Sequence, residues 1–321
     1  MILQSILIKK IQYKIKDIII FRFLLNTWLY FFLYKSYWHY LLFPKNKLEK
    51  KIKRSYLSIN VNFGARIGHQ FANYNAAIFY AKKLDLTHIH TEFPDKKWEK
   101  TLDINFNCIS SESLIEKGFK KIQLPRFKEN NISEISKIKK IIQSYCKEKV
   151  VFFLETDQPY TNQYEVASIL QQKFFSSPQR KKGKLIYKKS NFNISVHVRM
   201  GDILQNATIR KQRFLDIDYF INAINKSLSI IKTKKKIVIH IFAEKNYKSF
   251  LKLKQFNNIQ FCYNLNQYKT FLHFIYADLL ITSKSSFSYK AALINRGIKL
   301  CPKQFWHKYP KNNKNWVLID V

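Results

Sequence analysis

Short runs of branched and aromatic residues punctuate this chain, and each stops abruptly in a loop rich in glycine, serine or charge. Lys236–Ala243 (KIVIHIFA) is a continuous apolar run, the pattern of a strand buried on both faces of a parallel sheet. Similar runs predict strands at 57–61, 88–93, 150–154, 193–198, 259–262 and 278–282. Helical spacing places Phe71, Tyr74, Ile78, Ala81 and Leu84 on one face of a helix over 70–84. A second helix starts at an apparent cap, Asp218, and carries Tyr219, Phe220, Ala223 and Ile224. Further helices are expected near 247–253, over 268–277 and over 289–295, the last stopped by Gly297. Between 93 and 150 the chain is lysine-rich and poorly periodic, and it predicts no element. Strand and helix alternate along the rest, which predicts an α/β protein with parallel sheets.

Ser177-Pro178-Gln179-Arg180-Lys181-Lys182-Gly183-Lys184 joins proline, glycine and a charge run, and reads as a linker. It separates an α/β domain over 56–185 from a second over 190–300. Residues 1–55 form a basic, aromatic N-terminal segment. Residues 301–321 form a tail expected to pack back on the first domain.

Three strand ends in the second half carry chemistry. The first is the turn His197-Val198-Arg199-Met200-Gly201-Asp202. Guanidinium offers a rigid fork of donors to phosphate oxygens, and glycine admits close backbone approach. The second is Phe242-Ala243-Glu244-Lys245-Asn246, an acid just past a buried strand, suited to a ribose hydroxyl or a base N–H. The third is Ser283-Lys284-Ser285-Ser286-Phe287-Ser288, a hydroxyl-rich turn that opens a helix, where phosphate binds well. Taken singly, these are an ion pair, a surface acid and a cap. Together, at equivalent strand ends, they point to a diphosphate. A fourth loop, Asn62–His69, contains Gly64 and Gly68 and leads from a strand into a helix.

Composition modifies this picture in two places. With 57 Lys+Arg against 21 Asp+Glu the formal charge is +36, which raises nucleic-acid binding as a rival reading. The lysines are dispersed among Asn and Ile, however, so a solvated basic surface that favours anionic partners is the expectation, with no nucleic acid. Cys108, Cys146, Cys262 and Cys301 are widely spaced, form no CxxC pair and are expected to be reduced. No tract stacks Asp, Glu and His as a dedicated metal site would.

Ile18–Tyr34 (IIIFRFLLNTWLYFFLY) is apolar, short and interrupted by Arg22 and Asn26. A spanning helix wants about 20 apolar residues, and an arginine at mid-depth is costly. No small-residue cleavage site follows. Lys9, Lys10, Lys14 and Lys16 precede it, and Lys45, Lys47, Lys50, Lys51, Lys53 and Arg54 follow. That arrangement suits an interfacial helix on an anionic leaflet, at the cytoplasmic face, peripheral or monotopic. The alternative is an ordinary core helix.

The order of these elements resembles glycosyltransferase family 11, the α-1,2-fucosyltransferases, and more distantly the α-1,6- and protein O-fucosyltransferases. The resemblance is carried by FGARIGHQF at 63–71, HVRMGD at 197–202, FAEKN at 242–246 and SKSSFSYKAAL at 283–293, over about residues 57–300. It implies a GT-B-like fold, two Rossmann-type domains facing a cleft, with the glycine loop approaching from the first domain. It implies an inverting, metal-independent transfer of fucose from GDP-fucose to a hydroxyl, α-1,2 to galactose, on a lipid-linked or lipopolysaccharide-type oligosaccharide. No cofactor would be required. Arg199 would hold the β-phosphate and offset the charge on departing GDP. Ser285, Ser286 and Phe287 would donate to the diphosphate. His197, Gly201 and Asp202 would shape the turn, and Glu244 would face the guanosine. Arg66, Gly68, His69 and Gln70 would approach the donor. Three positions depart from the family's pattern: His69 in place of Asn, Met200 in place of a second Arg, and Lys290 in place of a Trp. Asp202 and His69 are the candidates for a general base. The departures at His69 and Lys290 also support a rival reading, an inactive transferase-like scaffold.

Overall fold

The computed structural model describes residues 28–44, 55–181, 185–205 and 207–321, with nothing described for the side chains of Trp28, Lys181 and Asp202. By contact the chain divides into two compact units. The first holds the described residues up to Asn60, Tyr80–Thr91 and Ile109–Pro159; the second holds Val61–Phe79, Glu92–Cys108 and Tyr160–Val321.

Unit 1 is built on four parallel strands, β1 (Tyr56–Ile59), β2 (Thr87–His88), β3 (Lys120–Gln123) and β4 (Val150–Leu154), in the order β2-β1-β4-β3. The apolar runs of β1 and β4 are wholly buried, as expected of inner strands of a parallel sheet. Strand β2 ends sooner than the expected 88–93. The Ile89 N–H still reaches Leu57 O at 3.0 Å, and the chain then turns to an isolated bridge between His90 and Ser110. The lysine-rich stretch does contain structure. Helix Ile132–Ser144 is capped by Asn131 and buries Ile135, Ile138, Ile141 and Ile142 at helical spacing, while its lysines fill the positions between.

Residues 18–27 of the expected interfacial helix, and 45–54 of the basic flank, lie outside the described residues. Trp28–Leu33 forms a 3-10 helix and Lys35–Leu42 an α-helix. Tyr30 and Tyr34 both donate to Glu155 just past β4. Leu33, Trp38, Leu42 and Phe43 are 48–70% exposed. Among the described residues no helix is long and apolar enough to cross a membrane.

Unit 2 holds six parallel strands, β5 (Asn191–His197), β6 (Lys236–Ala243), β7 (Ile259–Tyr263), β8 (Leu279–Ile281), β9 (Ile298–Pro302) and β10 (Trp316–Ile319). Their order is β10-β9-β8-β5-β6-β7. The α/β expectation and the central runs therefore hold, with corrections at several boundaries. The cap of helix Ile217–Ile230 is Asp216, whose carboxylate accepts the Asp218 N–H at 3.2 Å; Asp218 itself lies in the first turn. Lys248–Gln255 is a 3-10 helix rather than an α-helix. Pro178–Lys181, inside the expected linker, is a 3-10 turn, and 182–184 lie outside the described residues.

Gly297 is not a left-handed stop. The helix Ser286–Ile294 ends at Asn295, whose Nδ2 donates to Phe274 O, Ile275 O and Ala277 O. Glycine is needed at 297 because a Cβ there would sit 2.1 Å from Asp278 O, where β8 and β9 begin side by side. The tail is also corrected. Residues 316–319 pair in parallel with β9, from Trp316 opposite Lys299 to Ile319 opposite Pro302, so the tail completes the second sheet.

Nor do the units follow the expected division at 185–190. The chain crosses between them at Asn60, Phe79, Thr91, Cys108 and Pro159, and the boundary runs through helix Ile67–Lys83. The glycine loop joins unit 2, because its first helical turn packs on the helix that follows β8. No disulfide joins any of the four cysteines, and Cys146 and Cys301 are buried.

Candidate functional site

The strand order of unit 2 determines where a ligand can sit. From β5 the chain runs outward through β6 and β7, then returns to place β8 on the other side of β5. Connections therefore leave β5 and β8 in opposite directions. At such a reversal the carboxyl ends of the two strands open a crevice, the usual ligand site of an open parallel sheet. The Asn193 N–H donates to the Asp278 carboxylate at 2.7 Å, and the Asp278 N–H donates to Asn193 O at 3.0 Å, which fixes the pair in register. His197 to Asp202 and Ser283 to Ser288 leave the carboxyl ends of these two strands.

The two loops meet. Arg199 is half-buried, and its Nη1 donates to Ser285 Oγ at 3.3 Å. Ser285 is fully buried and is the N-cap of helix Ser286–Ile294, accepting the Phe287 N–H at 3.3 Å. A guanidinium thus lies against the positive end of a helix. Backbone N–H groups at a helix start and a guanidinium fork are both donors suited to an anion. The Phe287 ring anchors the turn, packing 5.2 Å from Phe271, 5.8 Å from His197 and 6.3 Å from Trp98 between centroids.

A second helix N-terminus comes to the same place. A Cβ on Gly68 would lie 2.9 Å from Ser286 Cβ and 3.4 Å from the Phe287 N atom. Glycine at 68 therefore lets the first turn of Ile67–Lys83 seat directly on the Ser285–Phe287 turn. This replaces the expectation that the glycine loop reaches the donor from another domain: Gly68 and Ser286 belong to one compact unit. Gln70 is buried and ties the loop to itself, its Nε2 donating to Ala65 O at 2.7 Å and to Asn62 O at 3.4 Å. Arg66 and His69 are exposed on either side of Gly68.

His197 is buried, and its Nδ1 is 3.0 Å from Ser283 Oγ. Burial, with the Arg199 charge second, pushes its pKa down to about 3, so it is a neutral strut between β5 and the β8 turn. Glu244 is exposed and folds back over the β5 turn. Its Oε2 accepts the Met200 N–H at 3.4 Å, and a Cβ on Gly201 would lie 3.3 Å from its Cδ. Glycine at 201 keeps that carboxylate close to the start of the short helix Gly201–Leu204. Asp202 is in that helix, and its side chain lies outside the described residues. Met200 is buried, which leaves Arg199 as the guanidinium of this turn. Among the described residues no group of three or more His, Cys, Asp or Glu side chains is placed to hold a metal ion.

Two residues at the site carry more than their sequence positions suggested. Lys290, one turn into the Ser286 helix, is fully buried, and its Nζ contacts Gln163 Oε1 and lies 3.4 Å from His307 Nε2. His307 comes from the tail, and its Nε2 is also 3.4 Å from Ser286 Oγ. A lone histidine between Trp306 and Lys308 has no periodic signal, so nothing in the sequence marked it.

No protein-family model and no curated protein matches this chain. Solved structures do. It is similar to POFUT1 in complex with GDP-fucose, at 14% identity over 85% of this chain and 99% of that one, with a TM-score of 0.48. It is similar to the fucosyltransferase NodZ from Bradyrhizobium, at 12% identity over 76% of this chain and 94% of that one, TM-score 0.38. A mutant of Arabidopsis thaliana FUT1 in complex with GDP matches at 10% identity over 87% of this chain and 75% of that one, TM-score 0.45. At these identities and scores the functional reading rests on the site's own residues.

Proposed function

We propose that this chain is an inverting glycosyltransferase that moves fucose from GDP-fucose to a hydroxyl of a surface glycan. One observation carries the proposal. Arg199 lies against the Ser285 cap, and Gly68 seats a second helix N-terminus on Ser286, at the carboxyl ends of β5 and β8. That is a diphosphate cradle; the guanine and the fucose come from the motif resemblance. Arg199 and the two helix ends meet the negative charge that grows on departing GDP, with no metal required. Ser285, Ser286 and Phe287 form the turn on which the diphosphate rests. Glu244 and Gly201 hold the turn after β5 in shape. His69, exposed on the first turn beside Gly68, takes the proton of the attacking hydroxyl. The acceptor is a galactose-bearing oligosaccharide of the lipopolysaccharide type, joined α-1,2.

A nucleotide panel in a thermal-shift assay tests the donor. GDP at about 100 times its Kd stabilises by about 2.7 kcal/mol, a rise of several degrees in Tm. UDP, ADP and CMP are expected to give no comparable rise. A shift with UDP alone would overturn the GDP assignment.

The exposed Leu33, Trp38, Leu42 and Phe43 precede Lys45, Lys47, Lys50 and Lys51 in sequence. An apolar aromatic surface beside a basic run suits peripheral attachment to an anionic leaflet at the cytoplasmic face, where lipid-linked acceptors are within reach. The protein is expected to sediment with phosphatidylserine-containing vesicles and much less with neutral ones. Trp38→Ala with Leu42→Ser should weaken that binding; equal sedimentation with both vesicle types would rule the attachment out.

A further inference from the structure

A fully buried lysine normally has a carboxylate beside it, because an isolated ammonium is costly to desolvate. Lys290 has none within ion-pair distance among the described residues. Its Nζ faces the amide oxygen of Gln163, which also accepts the Asn75 Nδ2–H at 3.1 Å, and the imidazole Nε2 of His307. The other titratable groups near it are tyrosines, histidines, lysines and a thiol. Tyr289 lies on its own helix, with the ring centroid 5.2 Å from Nζ and 4.7 Å from the His307 ring. Tyr164 adjoins Gln163 in sequence and acts on Tyr289, and His69 on helix Ile67–Lys83 lowers His307. Lys308 and Tyr309 follow His307. From β9, Cys301 acts on Tyr289, while Lys299 caps the far end of the same helix through Asn295 O and Gly297 O. Burial drives Lys290 well below the ordinary amine value and takes His307 down to about 2, with Lys290 and then His69 as its further causes.

His307 Nε2 has one lone pair and two candidate donors, Ser286 Oγ–H and Lys290 Nζ–H, each at 3.4 Å. An anion resting on Ser286 draws that hydroxyl toward itself. The imidazole lone pair is then left to Lys290, and negative charge now stands at the N-terminus of the helix that carries it. An added proton on Lys290 is hydrogen-bonded by Gln163 and His307 and balanced by the bound anion. We propose that the Lys290–His307 pair takes up a proton from solvent when the donor's diphosphate binds at Ser286, giving this site a second cation that exists only when it is occupied. The inference rests on the donor reading above. It makes Lys290 a positioning residue that acts through His307 and Ser286 rather than by touching the reacting atoms.

Calorimetric titration of the full chain with GDP, in two buffers of widely different ionisation enthalpy, tests it. At about pH 8 a terminal phosphate with a second pKa of about 6 is already ionised, so a buffer-dependent heat belongs to the protein. Uptake of about 0.5 to 1 proton per GDP is expected from the wild-type chain. Lys290→Met keeps the aliphatic stem and should remove the buffer dependence while weakening GDP by about tenfold. Absence of any binding heat, with no GDP thermal shift, would sink the donor reading itself. Binding with equal heats in both buffers would overturn the proton uptake alone, as would undiminished uptake in a folded Lys290→Met. The wild-type comparison stands even if that variant does not fold.

Discussion

Replacing Arg199 with alanine is expected to lower sugar transfer by about 10³-fold while leaving the fold intact. The size follows from what the residue does in the proposed reaction. Charge appears on the β-phosphate as the glycosidic bond breaks, and a pre-placed guanidinium meets that charge without reorganising. Loss of one such donor commonly costs two to three powers of ten in kcat. Here Met200 is buried, so the turn after β5 offers no second guanidinium to share the load. The fold should survive because Ser285 keeps its bond to the Phe287 N–H, so the helix cap persists without Arg199. Arg199→Lys restores charge but not the planar fork, and should recover only part of the loss. The checks are kcat and KM with GDP-fucose, alongside thermal unfolding of each variant. Full turnover in a folded Arg199→Ala would end the leaving-group assignment.

The sequence made the inner strands of both sheets legible for a physical reason. Val238–Phe242 is buried on both faces and is apolar except at His240, and Val150–Leu154 of unit 1 is buried and apolar throughout. The loops after β5 and β8 stood out too, because each breaks an apolar run with charged or hydroxyl residues. Which strands lie side by side was not. Pairing of β5 with β8 depends on contacts such as Asn193 with Asp278, 85 residues apart in the chain, which no local pattern reports. Helix Ile132–Ser144 was missed because lysines hid its isoleucine spacing, and β9 and β10 because proline and tryptophan made the tail read as irregular. Gly68 was noticed as a loop residue, but its reason lies in Ser286, more than 200 positions away. Lys290 read as a departure from the family's pattern. Its burial and its contact with His307 are visible only in the structure.

Acid should unfold this protein well before its carboxylates titrate. Three histidines of unit 2, His197 and His240 buried and His307 partly so, have pKa values far below the ordinary 6.5, at about 3, 4 and 2 respectively, each chiefly through desolvation. Repulsion from Arg199, from His273, and from Lys290 with His69 adds to the respective shifts. His273 is lowered as well, chiefly through burial, with the Lys269 charge adding to it and the bond to Lys269 O opposing it. Its Nε2 accepts the Ile186 N–H at 3.0 Å while Nδ1 faces Lys269 O at 2.6 Å, so a second ring proton would be driven against an N–H. The sign follows from linkage. Below pH 6.5 the unfolded chain binds protons that these rings refuse in the folded chain, so their contribution to stability is complete above that pH and falls as pH drops. Each fully shifted group contributes up to about 1.4 kcal/mol per pH unit. Three together remove on the order of 6 kcal/mol between pH 6.5 and 5, which is comparable to the whole stability of an ordinary domain. Urea unfolding at pH 7.5, 6 and 5 measures this directly, and His307→Gln should flatten the slope by about a third. A stability that stays level from pH 7.5 to 5 would mean that these rings are already charged or freely hydrated in the folded protein.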